Sequence, residues 1–443
     1  MDKSFFTYTL SVLLFLMCLA LPVPHGFAES DSLQQLIEET PEGGTLHLEG
    51  VTYNGNIEIK KPITITGTDG THIKGDGTAS VIEVEAEQVA IENVHVSNSG
   101  MDQSSDEEYT GIRVMASDAT IRNVKITDVY HGIYLTRADN TTIDETTIIG
   151  QASESLAKQG NGIHIIRSVN NTITNNNIEY TRDGIYIEYA NGNEITGNTV
   201  QHARYGLHYM YSDYNNFYEN HFTGNIGGAA IMQSDHITIE NNHFSYNQGS
   251  RAFGLLLQSS NNIEVKDNEF FLNHRGLSLD MSTNNRIEEN HFFKNEIGVE
   301  LWTSSTAHVL VKNHFKQNQL DVLTLGGKSF NDWFENGEGN YWDTPMIDLD
   351  HDGISDHPHQ STSALANLIE DNELTYRFLH SPAIQMYETM NAMTSSQQVM
   401  AEDDYPLTPE TNDASFSIYH WVVLLGGIGF IASIGYVKKR RNA

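Results

Sequence analysis

Between residues 88 and 327 the chain repeats itself about every 22 residues, and that period limits its folds more than any other feature. Asn176, Asn198, Asn220 and Asn242 stand 22 residues apart, and Asn268, Asn290 and Asn313 continue the series after a short insertion. Two positions after each comes an apolar residue: Ile178, Val200, Phe222, Phe244, Phe270, Phe292 and Phe315. Glycine supplies a second landmark, at Gly111, Gly132, Gly162, Gly184, Gly206, Gly228, Gly254, Gly276 and Gly298. Each glycine opens an alternating stretch such as Ile185-Tyr186-Ile187 or Leu277-Ser278-Leu279. The residues one and three places after it therefore face a core. From Gly132 on, a small residue follows six places later: Ala138, Ser168, Ala190, Ser212, Ser234, Ser260, Ser282 and Ser304.

Helical hairpin repeats do not fit this composition, because Asn, Gly, Thr and Ile with a period of two favour strands over helices. Leucine-rich repeats have a similar period, but their leucine framework is missing. The expectation is an all-β fold, a right-handed parallel β-helix in which like residues stack on like at ~4.8 Å and asparagines hydrogen-bond along the stack. Ten to twelve coils would make a rod roughly 50–60 Å long.

The flanks predict export and anchoring. Lys3, the apolar run Phe5–Leu21 and the small-residue site Gly26-Phe27-Ala28 have the pattern of a secretory leader, residues 1–28. Cys18, the single cysteine, falls inside it, so a cleaved chain would have no thiol chemistry. Residues 418–437 are long enough to cross a bilayer and are followed by Lys438, Lys439, Arg440 and Arg441. Basic residues stay inside, which places the body outside the membrane and the tail, 438–443, in the cytoplasm. The net charge of −33 repels polyanions and argues against a nucleic-acid partner.

A coil's interior is packed, so chemistry belongs on outward positions and in loops. Stacking the residues two and four places after each glycine gives one outer strip carrying Tyr134, His164, Tyr186, His208, Met210, Met232 and Trp302. Imidazole and thioether without thiolate suit copper, especially Cu(I), which makes His164, His208, Met210 and Met232 candidate ligands. Two other readings stand beside it: a C-terminal segment or partner packing on the strip, and sugar stacking on its aromatics. Arg182 and Arg204 occupy equivalent positions in adjacent coils, able to meet an anion or to pair with Asp183 and other local carboxylates.

With the β-helix assigned to 29–343, residues 344–400 form an acidic loop and a helical extension. Asp348, Asp350, Asp352, Gly353 and Asp356 fill positions one, three, five, six and nine of a calcium loop, but position twelve is His359 instead of Glu. An acidic turn without metal is the alternative. Residues 361–393 have helical spacing, with Met386, Met390 and Met393 on one face. Residues 401–417, acidic with two prolines, are expected to be a linker.

Tandem Asn/Gly coils, then Gly339-Asn340-Tyr341-Trp342, then Asp348-Leu349-Asp350-His351-Asp352-Gly353-Ile354, then Ser381-Pro382-Ala383 before a helix, resemble the NosD family. The resemblance covers nearly the whole exported part, and the two later motifs in this order carry its specificity. It implies a role in maturing nitrous oxide reductase, with that enzyme as client and an ABC-type ATPase and membrane permease as partners in assembling its copper–sulfur centre. It also implies copper binding. A membrane span departs from the commoner soluble form, and His351 stands where a glycine is expected. Two other functions remain open: a polysaccharide lyase, epimerase or hydrolase, for which Asp280 and Glu300 could be a carboxylate pair, and a surface adhesin.

Overall fold

A computed structural model describes residues 32–101, 108–152, 155–327, 330–379, 381–394 and 398–408. The leader, the membrane span and the basic tail expected from sequence lie outside these residues. Among the described residues no helix is long and apolar enough to cross a membrane.

Each coil contributes one strand to each of three parallel sheets of 12 strands. The first sheet runs from Thr45–His47 to Val309–Val311, the second from Thr52–Asn54 to His314–Lys316, and the third from Ile57–Ile59 to Leu320–Leu325. Twelve coils at ~4.8 Å give a rod of roughly 50–60 Å. The residues one place after the landmark glycines (Ile133, Ile185, Leu207, Leu277) and three places after (Leu135, Ile187, Tyr209, Leu279) are fully buried, as the alternation requires.

The asparagine series forms a ladder. Asn198 donates from its backbone N and its Nδ2 to Asn220 Oδ1 at 2.9 and 3.0 Å, while Nδ2 also reaches Ile173 O at 2.8 Å. Asn220, Asn242, Asn268 and Asn290 repeat the pattern up to Asn313. The ladder ends on Asn340, so Gly339-Asn340-Tyr341-Trp342 is the last rung of the repeat. A second ladder, Asn225, Asn247, Asn273, Asn295 and Asn318, escaped the sequence reading. Beside the first ladder the rings of Phe222, Phe244, Phe270, Phe292, Phe315 and Trp342 stack at 4.6–5.4 Å between centroids. The landmark glycines make room for this column. A Cβ on Gly206 would lie 2.5 Å from both the Phe222 ring and Gly228 O. In the serine ladder the rung after Ser282 is Ser305, one place later than expected, because that coil is one residue longer.

Both ends are plugged. Helix α1 (Leu33–Glu39) buries Leu33 and Ile37, and Gln34 bonds the backbone of Glu58 on the first strand of the third sheet, occupying an open edge. At the other end the chain returns as an antiparallel pair, His359–Ser363 with Gln398–Asp403. Asp403 is fully buried and accepts from Asn340 N (2.8 Å), Trp342 Nε1 (2.9 Å) and Tyr405 N (3.0 Å). The expected linker therefore does not begin at 401. Residues 401–408 belong to the body, with Leu407 bridged to Tyr341 and Ile354, because the ladder's last rung needs an acceptor beyond it. The extension itself is helix α2 (Leu365–Asp371), a 3-10 turn (Glu373–Phe378) and helix α3 (Pro382–Thr394).

His308 replaces asparagine in a further ladder, its Nδ1 accepting from Asn285 N at 3.2 Å and its N donating to Asn331 Oδ1 at 2.9 Å. Burial pushes its pKa down to about 4. Below pH ~6.5 the unfolded chain takes a proton that the folded chain refuses until about pH 4, so stability is lost as pH falls through that window. His308→Asn should keep the rung and remove the proton. Urea midpoints between pH 7 and 4.5 are expected to show a slope smaller by up to about 1.4 kcal/mol per pH unit.

Candidate functional site

At each landmark glycine of the third sheet the alternation slips. A Cβ on Gly132 would point at Ile148 Cγ2 in the core, 2.7 Å away. The residue before the glycine therefore faces outward together with those two and four places after it. This puts His131, Asp183 and Tyr205 on the same outer strip as Tyr134, His164, Tyr186 and His208.

The strip is a continuous stack. Tyr134, His164, Tyr186 and His208 are in register on successive strands, with edge-to-face ring contacts at 4.6, 4.8 and 4.9 Å. His131 Nδ1 accepts from Asn161 N at 2.9 Å, so its Nε2 carries the hydrogen and meets Glu108 Oε2 at 2.7 Å. His208 Nδ1 faces Asp183 Oδ2 at 3.0 Å, which assigns a hydrogen to Nδ1 and turns Nε2 away from that carboxylate. Arg204 closes on the same carboxylate, with Nε to Oδ1 at 2.8 Å and Nη2 to Oδ2 at 2.5 Å, and its guanidinium covers the Tyr205 ring at 4.5 Å. Burial would raise the Asp183 carboxyl, but the bonds from His208 and Arg204 outweigh it and hold the pKa below the usual range.

Among the described residues, three buried ring nitrogens in this strip have no hydrogen-bond partner: both of His164 and Nε2 of His208. Burial, reinforced by the neighbouring His131, pushes the His164 pKa down to about 3, so its lone pair is free at neutral pH. Burial and Glu188 push the Tyr186 hydroxyl up to about 12. Neutral imidazole nitrogens kept from water can bind a soft or borderline metal or relay a proton.

The structure groups the expected residues unequally. His208 and Met210 share the strand Tyr205–Met210, and Met210 is in register with Met232. His164 lies two coils from His208, about 10 Å along the axis, with Tyr186 between them. Trp302 is exposed and stands three coils beyond Met232, outside the cluster. Arg204 is tied to Asp183, whereas Arg182 is exposed. Glu108 and His131 were missed by the sequence reading, which took outward positions only from the glycine onward.

Toward the C-terminal end the extension covers the strip. Glu300, fully buried, meets Arg275 Nη1 at 2.8 Å, Ser278 Oγ at 3.1 Å and the Tyr376 hydroxyl at 2.5 Å. Asp280 accepts from Gln258 Nε2 at 2.9 Å. Glu300 thus has no access to a substrate, because Arg275, Ser278 and Tyr376 of the 3-10 turn close over its carboxylate.

In the acidic loop, ligand oxygens of Asp348, Asp350 and Asp352 lie within 4.8 Å of one another. Asp348 accepts from His351 N (2.7 Å) and Gly353 N (3.1 Å), and His351 takes φ 61°, the left-handed conformation for which glycine was expected. Asp356 stands apart and accepts from Leu349 N at 2.9 Å. His359 opens a strand and stacks on Trp342 at 4.3 Å, which removes position twelve from the loop.

A family model described as periplasmic copper-binding protein (NosD) matches residues 150–346, and a right-handed β-helix region model matches residues 50–222. No curated protein matches the chain. Among solved structures, the catalytic unit of a GH87 α-1,3-glucanase from Streptomyces thermodiastaticus aligns with TM-score 0.53 at 13% identity, over 71% of this chain and 66% of that one. A family 28 exopolygalacturonase from Yersinia enterocolitica aligns with TM-score 0.48 at 10% identity, over 68% of this chain and 74% of that one. A periplasmic alginate epimerase, AlgG, aligns with TM-score 0.45 at 18% identity, over 68% and 70%. At such identities the likeness is one of fold alone.

Proposed function

The chain is a NosD-family right-handed β-helix protein, and on that premise we propose that it is an exported assembly factor for nitrous oxide reductase. In this reading it works beside an ABC-type ATPase and permease, held to the membrane by residues 418–437, and supports maturation of the client's copper–sulfur centre. The observation that carries the reading is the unpartnered Nε2 of His208 on the strand that also bears Met210, with Met232 in register beside it. His208, Met210 and Met232 are the residues that would hold copper in transit, with Asp183 orienting His208. His164, beyond Tyr186, would be a separate contact. The donor set fits the softness of Cu(I).

Cu(I) titration against a competing chelator tests the site: a triple substitution of His208, Met210 and Met232 is expected to weaken binding at least tenfold. Unchanged affinity would remove copper from this strip. Deleting the gene and recording the reductase's spectrum tests the role, since an intact copper–sulfur centre would refute it. The carbohydrate-enzyme alternative predicts release of reducing sugar or unsaturated uronate from a polysaccharide panel. Burial of Glu300 speaks against its hydrolase form.

The acidic loop is proposed to hold calcium in a structural role, with Asp348, Asp350 and Asp352 as ligands. Calcium at 100 times its Kd should then stabilise the fold by about 2.7 kcal/mol. Asp350→Ala should abolish that rise in thermal midpoint.

A further inference from the structure

The second sheet carries a histidine column on its outward side that the functional reading does not use. His221, His243, Glu269, His291 and His314 occupy one register position on five successive strands. His243 Nδ1 lies 3.0 Å from Glu269 Oε2, so imidazole and carboxylate already meet there. On the other side of Glu269, His291 stacks on His314 at 4.5 Å. His243 and His314 are half-buried, and His221, Glu269 and His291 are exposed. The turn just before the column places Glu219, Asp267, Glu289 and Lys312 alongside, with Lys266 lying 3.9 Å from Asp267 and 3.4 Å from Glu289.

We infer that His243, Glu269 and His291 form a binding site for a borderline divalent cation of the zinc class. Strand spacing puts the two histidines about 10 Å apart at the backbone. His243 and Glu269 already meet, and turning the exposed His291 ring from its stack on His314 toward Glu269 brings in the third ligand. Nitrogen and oxygen donors without sulfur select Zn2+ or a similar ion over Cu(I), which separates this column from the methionine-bearing strip on the third sheet. The other stacked histidine pair of this sheet, His72 and His95, differs in chemistry. Each of its rings is engaged by a hydroxyl, His72 Nε2 with Ser97 Oγ at 2.7 Å and His95 Nε2 with Thr127 Oγ1 at 2.8 Å. The inference uses residues outside the proposed copper strip, so either can fail without the other.

The test is calorimetric titration of the full chain with Zn2+ at pH 7.5, in excess calcium so that the acidic loop is occupied. The expected result is one saturable site whose affinity falls at least tenfold in the double variant His243→Ala, His291→Ala and severalfold in Glu269→Gln. Zinc should also raise the thermal midpoint of the native chain and not that of the double variant, whose metal-free midpoint reports that it folds. Undiminished affinity in the double variant, an equal loss in a His72→Ala, His95→Ala control, or the absence of saturable binding by the native chain would overturn it.

Discussion

Replacing Phe270 by alanine is expected to destabilise the rod by about 3–5 kcal/mol, the range for emptying a buried aromatic site. Phe270 is fully buried, with Phe244 stacked 5.0 Å on one side and Phe292 4.8 Å on the other. The ladders hold the coils at fixed spacing on both sides, so neighbouring rings cannot move in to close the gap. Urea unfolding followed by fluorescence would report the loss. Phe270→Leu, which keeps most of the volume, should cost much less. A cost below about 1 kcal/mol for the alanine variant would mean that the coil collapses around the cavity.

Glu300→Ala is the second large effect. Its carboxylate is the meeting point of Arg275, Ser278 and Tyr376, and removing it takes from the largely buried Arg275 the carboxylate that its Nη1 meets, leaving the bond to Ala252 O in place. Breaking one side of such a pair costs about 3–5 kcal/mol. Here the loss falls on docking of the extension more than on the coils, because Tyr376 is the extension's contribution to the cluster. Limited proteolysis should therefore cut within 364–394 in the variant while the coils stay intact. Glu300→Gln, which can still accept from Tyr376, should give an intermediate result. Equal resistance to protease in the alanine variant would show that α2 and the buried Leu365, Ile369 and Leu379 suffice to hold the extension.

Much of the fold was readable because a solenoid writes its structure in one dimension. Each coil meets the next in register, so a residue such as Asn220 constrains positions 22 before and 22 after it. The glycine and phenylalanine columns are legible for the same reason, each glycine clearing the space its phenylalanine fills. The coils before residue 88 were not readable as repeats. They stack on Ile65, Ile73 and Ile91 without the asparagine rungs that mark later coils. His131 and Glu108 were hidden because the backbone slips at the glycine, which a strict period of two does not register.

By itself the sequence determined the repeat, the parallel coil with its packed interior, and the strip on which Tyr134, His164, Tyr186 and His208 follow one another. These depend on spacing alone, and stacking at one strand per coil turns spacing into position. Only the tertiary structure decided which of those side chains are free. Asp183 takes one nitrogen of His208, Tyr186 separates that histidine from His164, and the returning chain seals Glu300 while Asp403 ends the asparagine ladder. Those outcomes depend on side-chain direction and on contacts between segments 60 or more residues apart, such as Asn340 with Asp403 and Glu300 with Tyr376. No period along the chain encodes them.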